Sequence, residues 1–211
     1  MIQRKFVINL DKCKERMNNF DDSHTRWSAT DYENVSEYHA NKMISYYNIS
    51  SKEHLCKTGC FLSHINIWKY ISDNKIDGVL ILEDDAEQVN DISGLQLPQD
   101  GITYLGGWLR QLKMTDNKPV EHNSKDGINE LDKTKMRMLC TLSYYIPKWQ
   151  VAKQMFDYVN QLKRWRAVDV SIHNIPIENY YIYPAIYIER DLQSNIRKVK
   201  RKHPNQYYQF I

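Results

Sequence analysis

The chain has 211 residues, with 29 Lys and Arg against 26 Asp and Glu, and its formal net charge at neutral pH is +3. A balance this even gives no reason to expect a nucleic-acid-binding surface, so no nucleic-acid partner is predicted. The length suits one domain that buries its own core. We therefore predict a single domain over residues 1–211, a size that also fits one domain of a longer polypeptide.

The four cysteines, Cys13, Cys56, Cys60 and Cys140, lack the closely spaced pairs of a structural zinc site. Cys56 and Cys60 are instead separated by one helical turn. Free thiols are the simplest interpretation, and they favour a reduced, cytoplasmic protein. The sequence has no run of about 18 apolar residues, so neither a transmembrane segment nor a secretory leader is predicted.

The first thirty residues predict a strand, a helix and a second strand. Residues 5–10 form the first strand, Asp11 caps a charged helical segment through Phe20, and residues 25–29 form the second strand. In nucleotide-binding sheets the first turn after a strand lies beside the nucleotide. Asn9, Asp11 and Arg16 are accordingly expected near the base, ribose or phosphates. The alternatives are a helix cap for Asp11 and a solvated helix face for Arg16.

Two helical patterns follow. In the polar segment 31–57, a partly buried helix is indicated by Tyr38, Met43, Tyr46 and Tyr47. From residue 59 to residue 73 the apolar residues recur at helical spacing, at Phe61, Ile65, Trp68 and Ile71. The second helix is expected to pack its apolar face on a sheet, with Ser63 as a cap and His64 near a ligand. A structural role for His64 is the alternative.

The apolar run 79–82 is followed at once by Glu83, Asp84 and Asp85. Such a run is typical of a strand buried on both faces, and ligands bind at the carboxyl ends of strands in open α/β sheets. Clustered carboxylates repel one another unless a cation lies among them. Mg2+ and Mn2+ bind oxygen ligands and leave positions for phosphate oxygens. The alternative is a polar turn in which one Asp caps a helix.

A fourth strand is predicted at residues 102–105, ending in Gly106 and Gly107, where the missing side chains would let a ligand approach the backbone. The polar segment 108–137 is too long for an ordinary connection, which indicates a lid, a binding loop or a disordered segment.

The last elements are a long strand at 138–146 and a helix from Pro147 to residue 162. Residues 180–188 are rich in aromatic and β-branched side chains, which predicts an edge strand or an extended crossing segment. The tail is basic at residues 197–203 and is either a frayed terminus or a phosphate-binding segment, with weak peripheral membrane contact as a further alternative.

Several motifs occur once each, in a specific order along the chain: residues 6–11 with Arg16, 59–64 with Trp68, 82–86, 104–106, 143–146, 168–169, 183–184 and 193–194. In this order they resemble glycosyltransferase family 25, which includes bacterial lipooligosaccharide galactosyltransferases and collagen galactosyltransferases. The short form also resembles glycosyltransferases of large DNA viruses of algae, which would act in the host cytoplasm.

The resemblance implies a GT-A-type α/β fold with a mixed, mainly parallel sheet flanked by helices. It divides the chain into a nucleotide-binding part, about residues 1–107, and an acceptor-side part, about residues 108–211. It also implies metal-dependent transfer of a hexose from a nucleotide-diphosphate sugar, by expectation a UDP-sugar, to a hydroxyl of a glycan or glycoprotein. The transfer is usually inverting.

The resemblance also implies roles for individual residues. Asp85 and Glu83, with His203 from the tail, are expected to bind Mn2+ or Mg2+. Asp169 is expected to be the base that deprotonates the acceptor hydroxyl, with a helix cap as its alternative role. The expected donor contacts are Asn9, Leu10, Asp11, Arg16, Ser63, His64, Glu83, Asp84, Gly106 and Gly107.

Two other classes of protein remain open from the residues alone. A metal-dependent phosphoryl-transfer enzyme would also place acids at the end of a strand, although the sequence has no Walker loop and no set of kinase signatures. A non-catalytic module that binds nucleotide sugars is the second alternative, especially if the chain is one domain of a longer polypeptide.

Overall fold

The structure is a computed structural model that describes residues 1–44, 50–112 and 125–190. The strands of these ranges are β1 (Arg4–Asn9), β2 (His24–Ser28), β3 (Val79–Glu83), β4 (Ala86–Gln88), β5 (Gly101–Gln111), β6 (Gly127–Glu130), β7 (Met136–Ile146), β8 (Glu178–Tyr183) and β9 (Tyr187–Glu189). The α-helices are α1 (Glu37–Lys42), α2 (Ser51–Asp73), α3 (Trp149–Gln161) and α4 (Val168–Asn174). Two 3-10 helices span Asp11–Asn19 and Tyr32–Asn34.

A seven-stranded sheet in the order β2-β1-β3-β7-β5-β8-β6 is the centre of the described fold. β1 is parallel to β2 and β3, and β5 is parallel to β8. β7 is antiparallel to both β3 and β5, and β6 is antiparallel to β8. Every strand except β6 and β7 therefore runs in one direction. This is the mixed, mainly parallel sheet that the sequence predicts, and a separate two-stranded sheet pairs β4 with β9.

The central strand β3 is buried on both of its faces, as its unbroken apolar sequence predicts. Val79 and Ile81 belong to the core that α2, α3 and α4 cover. Leu80 and Leu82 point to the opposite face and join a second core, which includes Ala86 of β4. Because successive side chains alternate between the faces of a strand, β3 joins the two cores and its carboxyl end is held firmly.

The helix predicted from residue 59 begins eight residues earlier, at Ser51. The side-chain oxygen of Ser50 accepts a hydrogen bond from the backbone N–H of Glu53, which caps the helix. Ser63 therefore lies inside the helix, and its predicted role as a cap is wrong. Its hydroxyl donates to the Gly59 carbonyl and accepts from the Thr30 backbone N–H, both at 2.8 Å.

In the segment 31–57, the described part contains a 3-10 helix, α1 and the start of α2 instead of one partly buried helix. Met43 is buried as expected, but Tyr38 has 66% of its surface exposed, so its predicted burial is wrong. Tyr46 and Tyr47 lie outside the described residues.

Strand β5 continues through the glycines that were expected to end it, with register irregularities against β7 on both sides of Gly106. The predicted loop 108–137 contains the end of β5, all of β6 and the start of β7, and its residues 113–124 lie outside the described ranges. β8 pairs with β5 and β6, so it is not the predicted edge strand. Pro147 precedes the cap residue of α3 instead of lying in its first turn.

None of the helices in the described ranges combines the length and the apolar character that crossing a membrane requires.

Gly59 allows α2 to pack closely on the segment after β2, because a Cβ atom at this position would lie 2.5 Å from the Thr30 carbonyl oxygen. We expect Gly59→Ala to lower the free energy of unfolding by about 1–3 kcal/mol through overpacking. Intrinsic helix propensity predicts the opposite sign, a gain of up to about 1 kcal/mol. Urea unfolding distinguishes the two, with Asn66→Ala at an exposed site of α2 as the control. An unchanged or increased stability of Gly59→Ala would contradict the close packing.

Candidate functional site

A pocket of about 380 Å³ opens at the carboxyl ends of β1 and β3. The two strands are parallel neighbours, with Ile8 opposite Glu83, so the residues that follow them reach the same edge of the sheet. The pocket is lined by Ile8, Leu10, Lys12, Arg16, Ala29, Thr30, Asp31, Tyr32, Lys52, Cys56, Cys60, Ser63, His64, Glu83, Asp84 and Asp85. Its volume is in the range of small-molecule sites.

Asp84 is held by Asn9, the last residue of β1, and by Arg16 in the 3-10 helix that follows this strand. The Asn9 side-chain amide donates to Asp84 Oδ2 at 2.8 Å, and Arg16 donates to Asp84 Oδ1 at 3.0 Å. Burial raises the pKa of Asp84, and the Arg16 charge and these hydrogen bonds offset only part of that rise. Asp84 is thus a fixed, paired carboxylate that joins β3 to the segment after β1.

Asn9 is buried, and both ends of its side-chain amide are occupied within the protein. Its nitrogen also donates to the Cys13 carbonyl at 2.8 Å, and its oxygen accepts from Arg26 Nε at 2.8 Å. Arg26 forms an ion pair with Asp11, which accepts a further hydrogen bond from Ser28. The predicted helix cap at Asp11 is wrong, because Leu10 is the cap residue of the 3-10 helix.

Glu83 is fixed by β7 and faces α2. The Thr141 hydroxyl donates to Glu83 Oε1, and His64 Nε2 lies 3.6 Å from the same oxygen. Burial favours a raised pKa for Glu83, but interaction with His64 and the hydrogen bond from Thr141 outweigh it, and the net pKa is lowered. Glu83 is therefore held as a carboxylate.

Asp85 is the least compensated acid of the motif. Its Oδ1 atom is buried and has no hydrogen-bond partner among the residues that the structure describes. Burial raises its pKa well above the usual Asp value, and the charges of Glu83, Glu189 and Asp84 raise it further. A divalent cation at this carboxylate would relieve both the repulsion and the missing contact, so the residues fit an ion that prefers oxygen ligands.

Asp169 comes to this end of the sheet from the first turn of α4, where Ala167 and not Asp169 is the cap residue. Its Oδ2 atom accepts from the Cys140 backbone N–H at 3.3 Å, and its Oδ1 atom accepts from the Val170 N–H at 2.7 Å. Cys140 and Thr141, consecutive in β7, thus hold Asp169 and Glu83. The charge of Asp169 also contributes to the raised pKa of Cys60, after burial and Glu83.

The two predicted glycine contacts have a different explanation in the structure. A Cβ atom on Gly106 would lie 2.2 Å from the Tyr187 carbonyl oxygen, and one on Gly107 would lie 2.9 Å from the sulfur of Met138. The space left by the missing side chains is filled by the protein itself, and neither glycine lines the pocket. The prediction that this space admits a ligand is wrong.

The structure therefore brings Asn9, Leu10, Arg16, Ser63, His64, Glu83, Asp84, Asp85 and Asp169 to one end of the sheet. His203 and the basic tail 197–203 lie outside the described residues. Sequence reasoning missed Glu189, which reaches Asp85 because β9 pairs with β4, with Glu189 opposite Ala86. It also missed Thr141. The sequence near Glu189 or Thr141 gives no signal of these contacts. Each residue reaches the acidic motif because its strand pairs with a strand that is distant along the chain.

In open α/β sheets, ligands bind at the carboxyl ends of the strands, and the pocket lies at this position. The chain matches the sequence profile of glycosyltransferase family 25, described as an LPS biosynthesis protein family, over residues 2–172 of 211. The chain belongs to this family, which confirms the resemblance found in its motifs. It is a glycosyltransferase, and this activity implies a nucleotide-sugar donor. No match was found among curated proteins.

The crowding at Asp85 predicts a gain of stability on neutralisation. A carboxyl group whose pKa is raised by folding destabilises the folded protein when it is charged. This loss of stability is absent below the unfolded Asp pKa of about 3.9 and grows as the pH rises. We expect Asp85→Asn to raise the free energy of unfolding by about 1 kcal/mol at neutral pH in metal-free buffer. Urea unfolding as a function of pH measures the difference in unfolding free energy between Asp85→Asn and the wild type. This difference should become smaller as the pH falls.

The matched control is Glu87→Gln, which removes an exposed charge two residues further along the chain. A gain of the same size in both variants would mean that Asp85 is not specially crowded. A loss of stability in Asp85→Asn would contradict the electrostatic account directly.

Proposed function

We propose that this glycosyltransferase moves a hexose from a nucleotide-diphosphate sugar, a UDP-hexose by family resemblance, to a hydroxyl of a glycan or glycoprotein, with a divalent cation and with inversion. The observation that carries the proposal is Asp85, which lies among other acids in a pocket of about 380 Å³ and has a buried oxygen without a hydrogen-bond partner in the described residues. Paired acids elsewhere in the pocket leave Asp85 as the carboxylate that a cation would neutralise.

The donor is proposed to lie along the pocket from the segment after β2 to the end of β3. Lys12 and Lys52 place their Nζ atoms 5.0 and 4.7 Å from the centre of the Tyr32 ring. This aromatic and basic group suits the base and ribose region or the phosphates of a nucleotide. Asn9 and Asp11 then act indirectly, because Asn9 fixes Asp84 in the pocket wall and both residues hold Arg26, which does not line the pocket.

Mn2+ or Mg2+ is the proposed cation, with Asp85 as ligand and with Glu83 and Asp84 in supporting positions. When bound, such a cation neutralises charge on the leaving diphosphate. Glu83 is held by Thr141, and Asp84 is held by Asn9 and Arg16, so neither carboxylate is free to move away. Glu189 adds a fourth negative charge near Asp85 and is proposed to increase the affinity for a cation.

Asp169 is the proposed base. In an inverting transfer, the acceptor hydroxyl attacks the anomeric carbon, its proton passes to the carboxylate, and the nucleoside diphosphate leaves with the bonding electron pair. The fixed position of Asp169 beside Cys140 supports this role, because a base must be held within reach of the hydroxyl. The nucleotide-binding part, about 1–107, thus supplies the proposed donor pocket, and the acceptor-side part, about 108–211, supplies the base.

All four cysteines are free, which supports the proposal that the enzyme works in a reducing compartment such as the cytoplasm.

A thermal-shift screen of UDP-, GDP- and TDP-hexoses, each with and without Mn2+, tests the proposed donor chemistry. We expect the largest rise in melting temperature with a UDP-hexose and Mn2+ together. An equal rise without the cation would reject metal dependence, and no rise with any donor would reject the donor site. Phosphate release without sugar transfer would indicate a phosphoryl-transfer enzyme, and tight binding without any product would indicate a binding module.

Removal of the Asp85 carboxylate is expected to weaken donor binding without weakening the fold. Asp85→Ala should weaken Mn2+-dependent donor binding by about tenfold or more, because the cation loses its charged ligand. Isothermal titration with the donor, at fixed Mn2+, measures this change against Glu87→Gln. If Asp85→Ala binds the donor as the wild type does and with the same Mn2+ dependence, the metal assignment is wrong.

The proposed base predicts a different pattern. Asp169→Asn should keep donor affinity but lower the rate of transfer by about 10²–10⁴-fold, because the amide cannot accept the proton. Measured donor affinity and single-turnover rates on the same preparation distinguish the two effects. Asp157→Asn, at an exposed site of α3, is the matched control. Turnover close to that of the wild type would exclude Asp169 as the base.

A further inference from the structure

Three side chains that offer different metal-ligating atoms lie close together in the wall of the proposed donor pocket. The sulfur of Cys60, a ring nitrogen of His64 and a carboxylate oxygen of Glu83 all lie within 4.8 Å of one another. The sequence does not predict this group, because Glu83 lies on a strand and the other two residues lie on α2. It lies on the α2 side of Glu83, whereas Glu189 acts on the acidic motif from β9.

The helix geometry explains why these residues meet. Cys60 and His64 are four residues apart on α2, so they lie one above the other on a single face of the helix. That face is turned toward the end of β3, where Thr141 fixes Glu83. Two of the ligands are therefore positioned by one rigid helix and the third by a buried strand.

His64 supplies a second and independent indication of a ligand. Only 1% of its surface is exposed, yet within the described part of the chain its Nε2 atom is buried without a hydrogen-bond partner. The nearest carboxylate oxygen, on Glu83, is 3.6 Å away, which is too long for a regular hydrogen bond. A buried polar atom that is left unsatisfied costs about 1–3 kcal/mol, so the fold tolerates this atom at a measurable cost.

The other ring nitrogen of His64, Nδ1, has a hydrogen-bond partner, as the second nitrogen of a metal-ligating histidine usually does. Nδ1 lies 2.8 Å from the Tyr144 hydroxyl, which also accepts a hydrogen bond from the Trp68 indole N–H at 2.8 Å. Metal-ligating histidines usually have their second ring nitrogen bonded to an oxygen acceptor, which fixes the ring and leaves the first nitrogen for the metal. A metal at Nε2 would require the tautomer in which Nδ1 carries the proton and donates it to the Tyr144 hydroxyl, because only then does Nε2 have a lone pair for the metal.

We propose that Cys60, His64 and Glu83 form a binding site for Zn2+ or a similar thiolate-preferring divalent metal. Zn2+ takes sulfur, imidazole and carboxylate ligands together in tetrahedral sites, with a fourth position for water. The pocket that Cys60 and His64 line provides access for that fourth ligand. The thiol proton is released to the buffer as the metal–sulfur bond forms.

The proposed zinc site differs in chemistry from the cation site at Asp85. Mn2+ and Mg2+ favour oxygen ligands, whereas a thiolate and an imidazole select Zn2+ or Co2+. Glu83 is common to both groups of ligands, so occupation of one site is expected to affect the other. The zinc proposal depends on the geometry of Cys60, His64 and Glu83, and its test does not require sugar transfer.

Titration of the intact chain with Co2+, followed by displacement with Zn2+, tests the site without any activity measurement. Co2+ bound to a thiolate in tetrahedral geometry gives a sulfur-to-metal charge-transfer absorption and intense visible bands. We expect these bands in the wild type and their loss on addition of Zn2+. Cys60→Ser should remove the charge-transfer band and weaken Zn2+ binding by more than about tenfold.

Cys56→Ser is the matched control, because Cys56 lines the same pocket one helical turn away and is not part of the group. It should keep the spectrum of the wild type. His64→Gln should lose the tetrahedral bands, and circular dichroism checks that it is folded; if it unfolds, the two cysteine variants still decide the question. Absence of the charge-transfer band in the wild type, or its equal loss in Cys56→Ser, would overturn the proposal.

Discussion

Repulsion among buried carboxylates at the end of β3 is the constraint on which the arrangement of this pocket depends. Glu83, Asp84 and Asp85 are consecutive, and Glu189 adds a further negative charge beside Asp85. Burial already disfavours each charge, so every acid needs a partner. Asp84 accepts hydrogen bonds from Arg16 and Asn9, and Glu83 accepts one from Thr141. Within the described ranges, Asp85 retains a buried oxygen without a hydrogen-bond partner, which is the observation behind the proposed cation site.

The antiparallel strand β7 has a larger part in this site than the parallel strands alone would suggest. Three of its residues reach three different functional groups: the Cys140 N–H bonds to Asp169, the Thr141 hydroxyl bonds to Glu83, and the Tyr144 hydroxyl contacts His64. Because β7 also pairs with β3 and β5, these contacts tie the acids to the centre of the sheet. The positions of the proposed base and of the acidic motif are thus set by one strand.

The sequence predicted those parts of the fold and site that have a local signal. The apolar run before Glu83 identified the central strand, and the order of the motifs identified the family. The direct role expected for Asn9 was less accurate, because only the tertiary structure shows its amide occupied by Arg26 and Asp84. Gly106 was misinterpreted for a similar reason, since the carbonyl that fills its missing side chain belongs to Tyr187, 81 residues further along the chain. Glu189 could not be found at all, because its proximity to Asp85 arises from the pairing of two three-residue strands.

The central claim is that the acidic motif binds a divalent cation together with a nucleoside diphosphate. Electron paramagnetic resonance of Mn2+ tests it most directly, because the sharp signal of the free ion decreases when the ion binds to protein. With the wild-type chain and UDP present together, the account predicts a decrease well beyond that caused by UDP alone. If the chain binds UDP while the free Mn2+ signal stays at the value set by UDP alone, the carboxylates at the end of β3 are not a cation site and the account is wrong.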